Sequence, residues 1–451
     1  MAYSTSVNGA QMHSPDPYLP GHGDSRYRVL HYDLELNYKV ASNRLDERAT
    51  LDVEILEPTS KIALDLYGLT ADKVQLDGQR IKFRHNQRRL NLDIGHHDAG
   101  ERFVVDLRVS GKPRPVPGAH GEAGWEELTA GSMVGSQPQG APGWFPCNND
   151  AANKATYRIE VICDANYTVI ANGSLGSMVR VGGAKRWIYD MKYPMSPYLA
   201  TLQIGNYAIK RRPARKPVEI VAPVGLNVGA GTAFARQAEM LDFFSEVFGP
   251  YPFDEYRAVI VGDPLEIPLE AQGLSSFGCN FVSPTWDHER LVAHELAHQW
   301  FGNSVTSTTL SDIWLHEGFA CYSEWLWSDY RSASVAGVQS VQQQVARHYP
   351  TLRFKPHGLT LVDPGMKNMF DDWVYKRGAI TLHAIRCVLG DSVFFRMLQA
   401  WTHDYAYQTV TTADFMAHCE RFAGPRAEQL RAVMEAWLFS PELPPMPVLA
   451  R

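Results

Sequence analysis

The residues from position 294 read HELAHQWFGN. On a helix, His294 and His298 project from one face, one turn apart, and both imidazoles reach a single tetrahedral ion. Glu295 follows the first histidine, where it touches a metal-bound water rather than the metal. The helix is expected to open after Ser283-Pro284-Thr285 and to close at Gly302-Asn303. A histidine pair at this spacing also occurs on packed or solvated helix faces, so it needs support from elsewhere in the chain. A catalytic zinc takes three protein ligands and keeps one position open. Downstream, DIWLHEGFACYSEWLW also reads as a helix and carries Glu317. Packed antiparallel to the first helix, it brings that carboxylate to the ion. His316 competes for the role, but it points about 100° away on the helix and is expected at the surface or behind the ligands.

The whole stretch HELAHQWFGNSVTSTTLSDIWLHEGFACYSEWLW resembles the zinc signature of the aminopeptidase N family, which also contains the leukotriene epoxide hydrolase. The resemblance implies one Zn2+ per chain, held by His294, His298 and Glu317, with Glu295 as general base. Asp312 and Glu324 match carboxylates that orient the histidine ligands; a helix cap and a solvated helix face are the alternatives for them. Family members remove one residue from a free amino end and hold the α-ammonium with the glutamate of a Gly-Ala-Met-Glu-Asn loop. The corresponding loop here is IPLEAQGLSSFG, which keeps only the glutamate, Glu270. In SQPQGAPGWF, Gln139 is the best match for a second amine contact and Gln137 is the alternative. WVYKRGAITLHAIR resembles the family's Tyr-Glu-Lys-Gly element, which makes Tyr375 the oxyanion donor with Gly378 in register. Lys376-Arg377 replaces the Glu-Lys pair, so the charge near the site differs.

The segments GWFPCNNDAANKATYRIEV, IANGSLGS, YPMSPYLATLQIGNY and FGPYPFDEY extend the resemblance over residues 27 to about 445. It implies a saddle-like β domain followed by a thermolysin-like catalytic domain. Relatives often carry a further large helical domain, and this chain stops before one would fit.

The local patterns agree. YDLELNY, LDVEI, VVDLRV and YRIEV alternate apolar and polar residues between Gly, Asn and Asp turns, as strands of a half-buried antiparallel sheet do. From about 220 the pattern changes: Phe234, Ala238, Leu241, Phe244 and Phe248 form one helical stripe stopped by Gly249-Pro250. The expected architecture is α+β and multidomain. It comprises an extension (1–26), an antiparallel β saddle or sandwich domain (27–215), a mainly helical catalytic domain with a small sheet (216–440) and a proline-rich tail (441–451).

Of 451 residues, 45% are hydrophobic and 20% charged, ample for sizeable cores. The net charge of −6 argues against a nucleic-acid partner. No apolar run is long enough for a bilayer, and the first residues lack the charged start and apolar run of a leader. Six scattered cysteines without a CxxC fit reduced thiols and a cytoplasmic protein. The expected function is that of a zinc-dependent aminopeptidase acting on peptides. A zinc epoxide hydrolase, a non-catalytic scaffold of the same fold and an endopeptidase of the same zinc class are the alternatives.

Overall fold

The computed structural model describes residues 14–333, 338–354 and 358–447. In its first half, period-two sequences form strands. Tyr27–Lys39 buries Tyr32, Leu34, Leu36 and Tyr38 on one face and turns the intervening polar residues outward. It lies inside an eight-stranded sheet whose order is Ser174–Val181, Ala184–Met195, Ala155–Asp164, Tyr27–Lys39, Arg44–Ile55, Arg102–Gly111, Leu69–Leu76 and Gln79–Arg80. The sheet is not wholly antiparallel as expected, because Tyr27–Lys39 and Ala155–Asp164 pair in parallel. A long connection that itself forms other strands separates the two, as a parallel pair requires. A five-stranded and a three-stranded sheet complete the β domain, around a core that includes Trp125, Trp144 and Phe145.

A second five-stranded sheet belongs to the catalytic half, in the order Tyr207–Arg212, Val218–Pro223, Tyr256–Ile260, Leu274–Phe277 and Leu269–Ala271. Its first strand forms a hairpin with the second. The change of sheet therefore comes before Tyr207, ahead of the expected boundary at 215. Among the described residues this half also holds eight α-helices: α1 (Gln237–Phe248), α2 (Trp286–Ala297), α3 (Trp314–Ser332), α4 (Val341–Phe354), α5 (Asp372–Leu389), α6 (Asp391–Asp404), α7 (Thr412–Ala423) and α8 (Ala427–Phe439). No helix among the described residues is long and apolar enough to cross a membrane. All six cysteines are unpaired.

Residues read as an extension and a tail are tied down where they are described; 1–13 and 448–451 lie outside the described residues. The Asp16 carboxylate accepts from the Leu310 N–H at 2.8 Å, and the Tyr18 hydroxyl donates to Asp363 at 2.5 Å. The segment before the β domain thus reaches the catalytic half. After α8, the buried Arg377 guanidinium on α5 donates to the carbonyls of Trp437 (2.8 Å) and Ser440 (2.6 Å). A cation at a helix C-terminus meets the carbonyls left without an intrahelical partner.

Helices α3 and α5 cross at a pair of glycines. A Cβ built on Gly318 would lie 2.8 Å from the Gly378 Cα, and one built on Gly378 would lie 2.6 Å from the Gly318 Cα. Only residues without a Cβ allow this approach. Gly318 adjoins Glu317, and Gly378 sits one turn after Tyr375, so the crossing sets how far the tyrosine stands from the site. Alanine at either position is expected to lower stability by up to about 2 kcal/mol, because overpacking costs about 1–3 kcal/mol against a gain in helix propensity of about 1 kcal/mol. Calorimetry of Gly318→Ala and Gly378→Ala tests this; an unchanged or raised Tm in both would refute it.

Candidate active site

The site begins with the cap of α2. Thr285 accepts the His288 N–H at 3.3 Å, which starts the helix where the sequence placed it. The helix ends at Ala297, before the expected stop at Gly302, because its last turn tightens to three-residue bonds (Gln299 N–H to Leu296 O, Trp300 N–H to Ala297 O, both 3.1 Å). In this turn the Nδ1 of His298 lies 3.0 Å from the Phe301 carbonyl. The Nδ1 of His294 lies 2.7 Å from Glu324 on α3. Each imidazole is held through Nδ1 and turns Nε2 toward Glu317, at 3.3 Å for His294 and 3.5 Å for His298.

These distances fit a metal. Ligand atoms about 2.05 Å from a tetrahedral zinc are about 3.3 Å apart. One atom from each of His294, His298 and Glu317 lies within a 4.8 Å cluster, and all three side chains are buried. A second trio, Glu270, Glu295 and His298, meets the same limit. It shares His298 with the first, whose two-histidine donor set is the better one for zinc. Burial works against the charge of Glu317, but both histidines hold its carboxyl well below the usual range.

Glu295 lies beside this cluster with Oε2 unpartnered and buried. Burial pushes its carboxyl up to about 8, against the pull of the two histidines. A bound dication would pull it back down. Tyr375 on α5 stacks its ring on His294 at 6.0 Å. Burial and then Glu317, Glu270 and Glu295 raise its phenol well above the usual value, so it stays a donor. Glu270 occupies the short strand Leu269–Ala271. Gln299 and Asn303, from the end of HELAHQWFGN, pin that strand by donating to the Ala271 carbonyl at 3.1 and 3.0 Å. Gln299 also accepts the Gly273 N–H at 2.8 Å.

Three readings need correction. The amide of Gln139 donates to the backbone carbonyls of Val116 (2.9 Å) and Gly121 (3.1 Å) and does not line the metal cleft. Gln137, the alternative, does line it and donates to Glu270 at 2.6 Å. Both lie in one SQPQG turn, and nothing in their spacing says which amide the neighbouring backbone consumes. Asp312 orients neither histidine. It accepts from the Thr412 hydroxyl and N–H at the start of α7, the capping role that was its alternative. Of the two places expected for His316, the surface is the wrong one: it is buried close behind His298, and its Nε2 accepts the Ser307 N–H at 2.7 Å. Burial lowers it to about 3, so it is neutral.

The replaced Lys376-Arg377 pair separates. Arg377 turns to α8, whereas Lys376 lines the cleft together with Arg290, a residue the motif reading passed over. Arg290 stands four residues before His294, one turn up the same face, which is the signal that could have found it.

Residues 232–437 match the peptidase family M1 domain. A crystal structure of the M1 zinc metallopeptidase from Deinococcus radiodurans superposes with a TM-score of 0.86 at 29% identity, covering 96% of this chain and 99% of that one. The second half of the chain thus matches the M1 domain, and nearly the whole chain shares the fold of a solved M1 zinc metallopeptidase. A variant of that Deinococcus protein is known bound to a Tyr-Ser-Ala substrate. The leucyl aminopeptidase of Saccharolobus solfataricus is 25% identical over 443 residues, 92% of this chain but 54% of that protein. The chain thus spans about half the length of that curated relative. That structural neighbour is a zinc metallopeptidase, and the buried trio here suits the same ion.

Without metal, burial opposes protonation of the two histidines, yet the carboxylates outweigh it. Glu317 and Glu324 raise His294 to about 9, while Glu270 and Glu317 raise His298 to about 10. Raised histidines stabilise the metal-free fold below their unfolded value of about 6.5, and that contribution is lost as pH rises through 9 to 10. Zinc must displace these protons. More than one proton per metal is therefore expected to be released at pH 7, with affinity rising between pH 6 and 8. Titration calorimetry in buffers of different ionisation enthalpy reads this directly, and heats independent of buffer would contradict it.

Proposed function

We propose that this chain is a zinc-dependent aminopeptidase that hydrolyses the first peptide bond of peptides with a free amino end. The observation that carries the reading is Glu270. It is a buried carboxylate beside the metal trio, it holds one amide at 2.6 Å, and it has no lysine or arginine ion-pair partner among the described residues. A buried carboxylate calls for a cation, and a substrate's α-ammonium supplies one. Gln137 orients the carboxylate and offers its own oxygen to the same ammonium. An anchor this close to the metal leaves room for one residue before the bond that is cut.

His294, His298 and Glu317 would hold the zinc, which when bound would supply a Lewis acid and acidify a water toward neutrality. Glu295 then acts as the base. Its unpartnered Oε2 takes a proton from the attacking water and delivers it to the departing nitrogen. The Tyr375 phenol donates a hydrogen bond to the oxyanion that forms on the substrate carbonyl. Glu324 keeps the His294 ring fixed, and the Phe301 carbonyl does the same for His298. Nothing around the cleft favours a lipid epoxide over a peptide.

Glu295→Gln is expected to keep its zinc and lose turnover by about 10²–10⁴-fold; metal analysis and a peptide-release assay measure both, and an active zinc-loaded variant would rule out the base. Glu270→Ala should weaken free-amine substrates far more than it perturbs zinc. Acetylated peptides should resist the wild type. Equal cutting of free and acetylated peptides would remove the aminopeptidase reading.

A further inference from the structure

The cleft has two ends along α2. At one, Glu270 and Glu295 lie with His298. At the other, one to two turns toward the helix start, stand Glu324, Arg290 and Lys376. A cavity of about 150 Å³ opens there, next to the metal cleft and sharing Arg290, Glu324 and Lys376 with it. Its wall adds Arg347 from α4 and Asp287. Three cations therefore face Glu324 and Asp287, and Asp372 in the adjoining cleft is also near enough to act on Lys376. The carboxylates are largely committed: Glu324 gives Oε1 to His294 at 2.7 Å and Oε2 to Arg290 at 3.1 Å, and Asp287 lies 3.8 Å from Arg290. His348 in the same wall is lowered to about 4, chiefly by burial, and adds no charge at neutral pH.

The cations are not equally committed. The Lys376 ammonium carries three donors, and the hydrogen bond it makes is to the Cys321 thiol at 3.2 Å, a weak acceptor. Arg347 is exposed and has no hydrogen bond or ion pair among the described residues. Two cations with donors to spare thus border the path of the leaving product.

We infer that this end of the cleft is a carboxylate-binding subsite for the part of the substrate beyond the cut bond, with Lys376 and Arg347 as its donors and Arg290 as a supporting charge. The inference rests on the aminopeptidase reading, which fixes the amino end at Glu270. Arg290 is about 12 Å from His298 along the helix axis, at 1.5 Å per residue, and the long lysine and arginine side chains must span what an extended peptide leaves of that distance. An extended peptide spans about 7 Å with two residues and about 10 Å with three. Two sources offer the carboxylate: the free carboxyl end of a di- or tripeptide, or an Asp or Glu side chain in second position.

The test compares kcat/KM for three substrates sharing one first residue: Leu-Gln-Ala-amide, which has no carboxylate, Leu-Glu-Ala-amide and the dipeptide Leu-Gln. One or both carboxylate substrates should exceed the neutral amide by about tenfold or more, the effect of one charge-assisted hydrogen bond. The preference should reside mainly in KM and shrink at high salt. A favoured dipeptide alone identifies the carboxyl end, and a favoured Leu-Glu-Ala-amide alone identifies the side chain. Arg347→Gln, at an exposed position away from the metal, should cut the preference several-fold while the neutral amide is hydrolysed as before. Lys376→Met should reduce it further. Equal rates on all three substrates overturn the subsite and leave the aminopeptidase reading standing. A preference that survives both substitutions also overturns it. Failure to cut the neutral amide while acetylated peptides are cut internally would instead overturn the aminopeptidase reading, and the subsite with it.

Discussion

Two imidazoles and three carboxylates share one buried pocket, and without a metal they hold one another far from their ordinary protonation. Glu317 sits between the histidines and is held ionised by them. Glu295 is pushed up to about 8, and Glu270 is raised in the same direction by burial. Like charges in a low dielectric repel strongly, so the cluster makes physical sense around a dication. The rest of the catalytic half keeps these groups close enough for an ion to reconcile them.

That work falls to residues with no chemistry of their own. Glu324 and the Phe301 carbonyl take the outer nitrogens and leave the inner ones to the metal. Gln299 and Asn303 fasten the strand bearing Glu270 to the end of α2. The Gly318–Gly378 contact brings α5 in until Tyr375 stacks on His294. Apart from the Phe301 carbonyl, three residues past His298 in the same turn, each brace joins two elements far apart in sequence, so its position follows from packing rather than from local propensity.

This division explains what could be read from the chain alone. His294, Glu295 and His298 follow one another along α2 and its last turn, and that spacing is a property of sequence; the expectation that Glu317 on α3 meets them came from the resemblance to the zinc signature, because the packing of two helices is not local. The alternation of Tyr27–Lys39 announced a strand in the same way, but not its parallel partner, because pairing is settled by topology. Gln139 failed for a related reason. Its amide is consumed by the Val116 and Gly121 carbonyls, and no pattern within SQPQG reports on carbonyls brought from a separate strand and turn. Asp312 lies in the motif-bearing segment yet serves α7, a hundred residues later. Tyr18 and Asp16 looked like part of a loose lead-in because their partners, Asp363 and Leu310, belong to the other half of the molecule.

The bond from Gln137 to Glu270 crosses between the two halves. Lys154 makes a second crossing, donating to the carbonyls of Asn303 and Ser304 directly behind the metal helix. On the proposed reading, the anchor for the amino end is therefore a gauge made in two pieces, with one jaw on each half. The metal trio and its base lie wholly on one of them. Slippage between the halves would open the jaws while leaving the cutting edge intact. On the proposed reading, such an enzyme loses its sense of where a peptide begins before it loses the ability to cut one.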